Sequence, residues 1–147
     1  MKSTLFLTQT DTTAGFLSAS KERICEAKNR AQNKAILMEV SALANIKRIS
    51  RIPRILGRAI RHAKKTTFIF PNNRSFRVVG DFTREHYSFL SRFGALYSSS
   101  ANESGKKFDY DFAKSCASVV VFDVREICER APSRIFCIRK SKLKKLR

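Results

Sequence analysis

Short apolar runs alternate with amphipathic stretches along the whole chain, and each run is closed by polar or turn-forming residues. Ser3 to Thr8 reads as a buried strand, and Lys21 to about Lys28 as a helix capped by Ser18 or Ser20. Ala35 to Val40 is a short apolar strand. Ser41 to Ser50 and Pro53 to Lys64 read as two basic helices, with Pro53 pre-set for a first turn. In the second, Ile55, Leu56, Ala59 and Ile60 form an apolar stripe with arginines opposite. Thr66 to Phe70 and Ser75 to Val79 are strands around the turn residues Pro71-Asn72-Asn73. Thr83 to Phe93 is amphipathic and stops at Gly94, and Leu96 to Ser98 is a short strand. A helix over Asp109 to Cys116 precedes strands at Ser118 to Asp123 and Arg134 to Ile138. With no internal repeat and no linker, this alternation predicts an α/β layered sheet in one domain over residues 1–140. Residues 141–147 read as a basic tail.

The chain of 147 residues is long enough for a core of its own, and 43% hydrophobic residues with 5 Gly and 3 Pro exclude disorder and collagen-like structure. No apolar run approaches the ~20 residues that span a bilayer, and Leu5-Phe6-Leu7 is too short for a secretory core. The expectation is a soluble cytoplasmic domain with no membrane partner. Cys25, Cys116, Cys128 and Cys137 form no CxxC pair, and His62 and His86 lie near none of them in sequence. Zinc spacing is therefore lacking and no metal ligands are assigned; the cysteines read as reduced and structural.

Charge is unevenly placed. The formal net charge is +18. Between Glu39 and Asp81 there is no acid, yet Lys47, Arg48, Arg51 and Arg54 lead a basic series there. After Glu129 the chain is again only basic. Such segregation attracts polyanions and releases their counterions. Lys47, Arg48, Arg51 and Arg54 are accordingly the candidate RNA contacts.

Three polar clusters interrupt apolar strand ends. Thr8-Gln9-Thr10-Asp11-Thr12-Thr13-Ala14-Gly15 follows the first strand, where hydroxyls and backbone N–H groups can hold a small polar ligand or simply cap a turn. Lys28-Asn29-Arg30, with Lys34 following, suits phosphate only if the helix ends near Ala27 or Lys28. Within a helix Lys28 and Arg30 would lie about 200° apart, whereas in extended chain they share a face. Otherwise they are a solvated helix terminus. Ser98-Ser99-Ser100-Ala101-Asn102-Glu103-Ser104-Gly105 offers small side chains and donors to a phosphate, or is a flexible serine-rich loop. It has neither the P-loop nor the dinucleotide-fold pattern.

In order and spacing these clusters resemble the YrdC-type threonylcarbamoyl-AMP synthase family. Gln9 to Gly15 is similar to its P-T-D/E-T-x-Y/F-G segment, and Lys28-Asn29-Arg30 with Lys34 to its K-x-R-P and following basic residue. Ser98 to Gly105 resembles S-x-S-A-N-x-S-G closely. Thr67 to Pro71 sits at the end of the W-P-G-P-x-T strand, Arg77 matches a strand arginine, and Pro132-Ser133-Arg134-Ile135 resembles P-S-T-I. The sequence departs from the pattern at Gln9 for proline, Ala14 for an aromatic residue, Ala31 for proline, and His62-Ala63-Lys64-Lys65 for W-P-G-P. The family's leading helix has no counterpart ahead of the first strand.

The resemblance implies a single-domain twisted mixed sheet flanked by helices, with a concave basic cavity. It also implies a nucleotidyltransferase joining L-threonine, bicarbonate and ATP into threonylcarbamoyl-adenylate, with Mg²⁺ accompanying ATP, for t6A modification of tRNA. By the same resemblance Thr10, Arg77, Ser98 and Ser133 would contact threonine or its carbamate. Lys28, Arg30, Lys34, Ser100 and Asn102 would hold the nucleotide and its phosphates. No catalytic acid–base dyad is expected, since alignment of anions and charge neutralisation suffice. Two readings of other classes remain open. One is a non-catalytic protein of the same fold that binds double-stranded RNA or tRNA through its basic surface. The other is an unrelated basic ribosome-associated α/β domain.

Overall fold

A computed structural model describes residues 3–147. Met1 and Lys2, the start of the domain expected over 1–140, lie outside the described residues. The fold class matches expectation: α/β, with a mixed sheet flanked by helices. The chain packs as two compact units, one of residues 1–36 and 96–131, the other of residues 37–95 and 132–147. Among the described residues no helix is long and apolar enough to cross a membrane.

In the first unit β1 (Phe6–Gln9) and β2 (Ala14–Ser18) form an antiparallel hairpin, with Gln9 opposite Ala14. β2 also pairs antiparallel with β6 (Ala95–Ser100), and β1 pairs parallel with β7 (Val119–Val120). β2 was absent from the sequence reading because its opening Ala14-Gly15 is a poor strand former. Pairing on both edges and complete burial supply what propensity lacks. β7 keeps only two residues of the expected Ser118 to Asp123 strand. α1 (Lys21–Ala27) starts at Ser20, whose hydroxyl accepts from Arg23 N at 3.3 Å. α5 (Tyr110–Cys116) starts at Asp109, whose carboxylate accepts from Phe112 N at 3.1 Å. The core of this unit comprises Leu5, Leu7, Phe16, Ile24, Ala113 and their neighbours.

In the second unit β3 (Leu37–Val40), β5 (Ser75–Val78), β4 (Thr66–Ile69), β8 (Arg134–Arg139) and β9 (Lys142–Lys145) are ordered β3-β5-β4-β8-β9. β3–β5 and β4–β8 are parallel; the other two pairs are antiparallel. Helices α2 (Leu43–Lys47), α3 (Gly57–His62) and α4 (Arg84–Leu90) send Leu43, Ile46, Ile60, His86 and Leu90 inward. The core is aromatic: Phe70 and Phe76 meet edge to face at 5.4 Å, within a cluster containing Val40, Ile46, Phe68 and Ile138.

Two sequence expectations are corrected here. The helix expected from Pro53 to Lys64 opens as a 3-10 turn over Arg54–Leu56 before α3. The tighter turn shifts the phase of the stripe, so Ile55 is 75% exposed and Ala59 is exposed while Leu56 and Ile60 are buried. Residues 141–147, read as a tail, contain β9, joined to β8 by a two-residue turn in which Lys140 and Ser141 both have positive φ (48° and 59°). Such a turn matches strand twist, which glycine and asparagine usually serve. The all-exposed lysine-bearing β9 is a charged edge strand, an arrangement that discourages further strand addition.

Candidate functional site

The site in the first unit is organised by the end of α1. Arg30 N donates to Cys25 O at 2.9 Å and Asn29 N to Glu26 O at 3.2 Å, with Asn29 left-handed at φ 51°. This Schellman closure stops the helix at Ala27, meeting the condition under which Lys28 and Arg30 serve one ligand. Ser104 N then donates to Lys28 O at 3.0 Å, tying the loop after β6 to the helix end.

Between these segments lies an open cavity of about 470 Å³. Lys28, Arg30, Lys34, Ser100 and Asn102 all line it, as do Ser99, Ser104 and Gly105, and no carboxylate does. Lys28 is 3% exposed. Its ammonium donates to Ser100 O at 2.5 Å, Asn102 O at 2.7 Å and Asn102 Oδ1 at 3.2 Å. Burial, and then the neighbouring Arg30 charge, lowers its pKa to about 8. Arg30 donates one Nη to Ala35 O at 3.2 Å. A guanidinium carries five N–H donors, so the fork retains capacity for an anion. Ser100 Oγ donates to Asn102 Oδ1 at 2.5 Å, and Asn102 Nδ2 to Lys106 O at 2.8 Å, which fixes the loop. Chemically, this is a basic, hydroxyl-bearing recess suited to polyphosphate.

The four residues matched to threonine fall two in each unit, and all are buried. In the first unit, Thr10 Oγ1 donates to Thr13 O at 2.7 Å and accepts from Thr12 N at 3.1 Å, so this hydroxyl shapes its own turn. Gly15 is required beside it: a Cβ there would lie 2.6 Å from Thr10 Cγ2. Ser98 lies in β6 opposite Leu17. Neither Thr10 nor Ser98 lines the phosphate-type cavity. In the second unit Arg77 is the register partner of Thr67, and Thr67 Oγ1 shares a hydrogen bond with Ser133 Oγ at 2.8 Å. Arg77 and Ser133 are thus gathered around one strand position. Of the RNA candidates, Lys47, Arg48, Arg51 and Arg54 are all exposed.

Several residues in these surroundings escaped the sequence reading. Arg125 grips Asp123 through two nitrogens and donates to Gln9 O at 2.7 Å and Thr10 O at 2.9 Å. Gln9, where the resembled family has proline, accepts from Cys128 N at 2.9 Å. Residues 123–130 therefore clamp the turn after β1. In the second unit the fully buried Glu39 bonds both Arg77 and His86. Removing one partner from such a buried pair costs about 3–5 kcal/mol, because the other charge is left stranded. The sequence signal was a charged residue inside each of two apolar strands, Glu39 and Arg77; His86 lies in an amphipathic helix and gave none.

No protein-family model matches the sequence, and no curated protein sequence matches it. Solved structures do match in fold. P. abyssi Sua5, in a doubly substituted form, is 16% identical with a TM-score of 0.76, over 98% of this chain and 49% of that one. The same protein complexed with L-threonine is 16% identical at a TM-score of 0.72, over 98% and 50%. Full-length HypF in a phosphate- and nucleotide-bound form is 12% identical at 0.75, over 98% and 26%. E. coli YciO is 13% identical at 0.72, over 99% and 82%. The chain thus spans about half the length of the Sua5 chain and about a quarter of HypF. By its likeness to these solved structures, this chain has the YrdC-like fold shared by Sua5 and YciO.

Proposed function

We propose that the chain is a threonylcarbamoyl-AMP synthase-like nucleotidyltransferase, forming threonylcarbamoyl-adenylate from L-threonine, bicarbonate and ATP for tRNA t6A modification in the cytoplasm. One observation carries this reading: five residues matched to nucleotide binding, from two distant segments, line a single recess without a carboxylate. That structures of this fold were solved with L-threonine and with phosphate and nucleotide supports the substrate classes. In the proposed reaction a carbamate oxygen attacks the α-phosphorus, an O–P bond forms, and the bond to pyrophosphate breaks. Arg30 and Lys34 would neutralise the phosphates, Ser100 and Asn102 would orient them, and Lys28 would hold the loop that carries both. With no carboxylate in the recess, Mg²⁺ would arrive on the ATP itself. By the family resemblance, Arg77, which pairs with Glu39, and Ser133 would contact threonine or its carbamate.

The test incubates purified chain with ATP, L-threonine and bicarbonate and measures threonine-dependent pyrophosphate release. Arg30→Ala and Ser100→Ala are expected to lower turnover at least tenfold, and Arg48→Ala less than twofold. Absence of threonine-dependent release from the wild-type chain would leave the second reading. That reading is a non-catalytic YrdC-fold protein binding tRNA or double-stranded RNA, favoured by the exposure of Lys47, Arg48, Arg51 and Arg54.

A further inference from the structure

The second unit carries two adjoining recesses that the synthase reading does not use. One, of about 610 Å³, lies along α2 and α3 and is lined by Lys47, Arg54, Arg58 and Arg61 over an apolar floor that includes Leu43 and Ile52. Arg58 and Arg61 are three residues apart on α3 and share a face, and Arg54 of the preceding 3-10 turn lines the same recess. No carboxylate lines this trough. The other recess, of about 390 Å³, shares Leu43, Arg61 and His62 with the first, so the two adjoin along these side chains. Its walls differ in kind: Phe82, Tyr87, Gly80 and Asp81. Phe82 is 42% exposed, a large apolar ring left at the surface, and Lys64 Nζ stands 5.0 Å from its centroid. Arg61 and Lys64 also line this second recess, and Asp81 adds a hydrogen-bond acceptor that the first recess lacks. An aromatic wall beside a carboxylate suits the face and amino edge of a heterocyclic base.

We propose that the two recesses form one site for single-stranded nucleic acid, with backbone phosphates on Lys47, Arg54, Arg58 and Arg61 and an unpaired base against Phe82. A duplex keeps its bases stacked inside and presents only phosphates to such a surface, so the aromatic recess favours an unpaired strand. This deepens the nucleic-acid reading of the basic helices and is independent of adenylate synthesis. RNA and DNA strands share the recognising chemistry, a phosphodiester backbone with an exposed base.

The test measures fluorescence anisotropy of a short labelled RNA strand, the DNA strand of the same sequence, and the RNA duplex, each across a salt series. Single strands should bind at least fivefold tighter than the duplex, and the two strand arms identify the preferred sugar. Replacing Arg54, Arg58 and Arg61 together by Gln should flatten the salt dependence by about two, since each lost phosphate contact removes roughly 0.7 from the slope for a single strand. Phe82→Ala should weaken strand binding roughly 5- to 100-fold with the salt slope unchanged. Both variants alter exposed side chains, and circular dichroism melting verifies that they fold. Equal binding of duplex and strand with no effect of Phe82→Ala overturns the proposal while leaving RNA binding standing. Loss of all binding overturns both. Strand binding abolished by Arg30→Ala but retained by the triple variant would move the strand to the first unit and also overturn it.

Discussion

Lys28 is buried yet lines an open recess, and its protons go to the Ser100 and Asn102 oxygens. On the proposed function its charge would act on a bound phosphate through space, while its hydrogen bonds hold the loop. The depressed pKa, about 8 against an ordinary 10.5, sets two opposite pH responses. Affinity for ATP or inorganic pyrophosphate should fall as pH rises through about 8, because the ammonium is then lost. Folding stability should respond the other way. Between about 8 and 10.5 the unfolded chain holds this proton and the folded chain does not, so this group's contribution to stability rises with pH. Calorimetric titration and chemical denaturation of wild type against Lys28→Met, over pH 7 to 10, check both slopes. The difference curves should have opposite signs, and in Lys28→Met the affinity should be weaker and lack the step near pH 8.

Among the elements, α1 matters most for what it does at its end. Asn29 sits at φ 51°, a conformation that costs β-branched residues about 1–2 kcal/mol and costs glycine little. Asn29→Gly should keep both stability and pyrophosphate release near wild type. Asn29→Val should lower unfolding free energy by about 1–2 kcal/mol and reduce ATP affinity, by loosening the register of Lys28 and Arg30. Denaturant unfolding and titration with ATP separate the two effects. Much of this was readable in advance: the Pro71-Asn72-Asn73 turn between β-rich runs, the Asp109 cap and the Gly94 stop are local signals, and the structure has them. So was the grouping of Lys28, Arg30, Lys34, Ser100 and Asn102 around one recess, since each contributing cluster is short and contiguous. What escaped depends on distant partners. β2 is a strand because β1 and β6 flank it, and β9 because a turn of Lys140 and Ser141 folds it back. Glu39 and His86 meet across 47 residues with no periodicity linking them.

At the scale of the whole molecule, +18 over 147 residues makes self-repulsion a standing cost of compaction. Surface ion pairs such as Lys106–Glu103, with the lysine exposed and the glutamate half-buried, offset little of it. Raising salt from about 0.1 M to about 1 M shortens the screening length from about 10 Å to about 3 Å, and the melting temperature should rise by several degrees. Differential scanning fluorimetry in sodium chloride checks this; a fall would mean that surface attractions outweigh the repulsion. The chain path adds a constraint of another kind. The unit begun by residues 1–36 is completed only by residues 96–131, and Phe6 of β1 finds Val119 of β7 after the whole intervening stretch has been laid down. During synthesis at the ribosome, β1 and β2 therefore emerge long before their outer neighbours exist, while β3, β4 and β5 meet within one continuous segment. Loop closure favours that segment as the first to condense. The early hairpin must meanwhile stay unaggregated, which makes nascent-chain protection, rather than final stability, the hazard this topology carries.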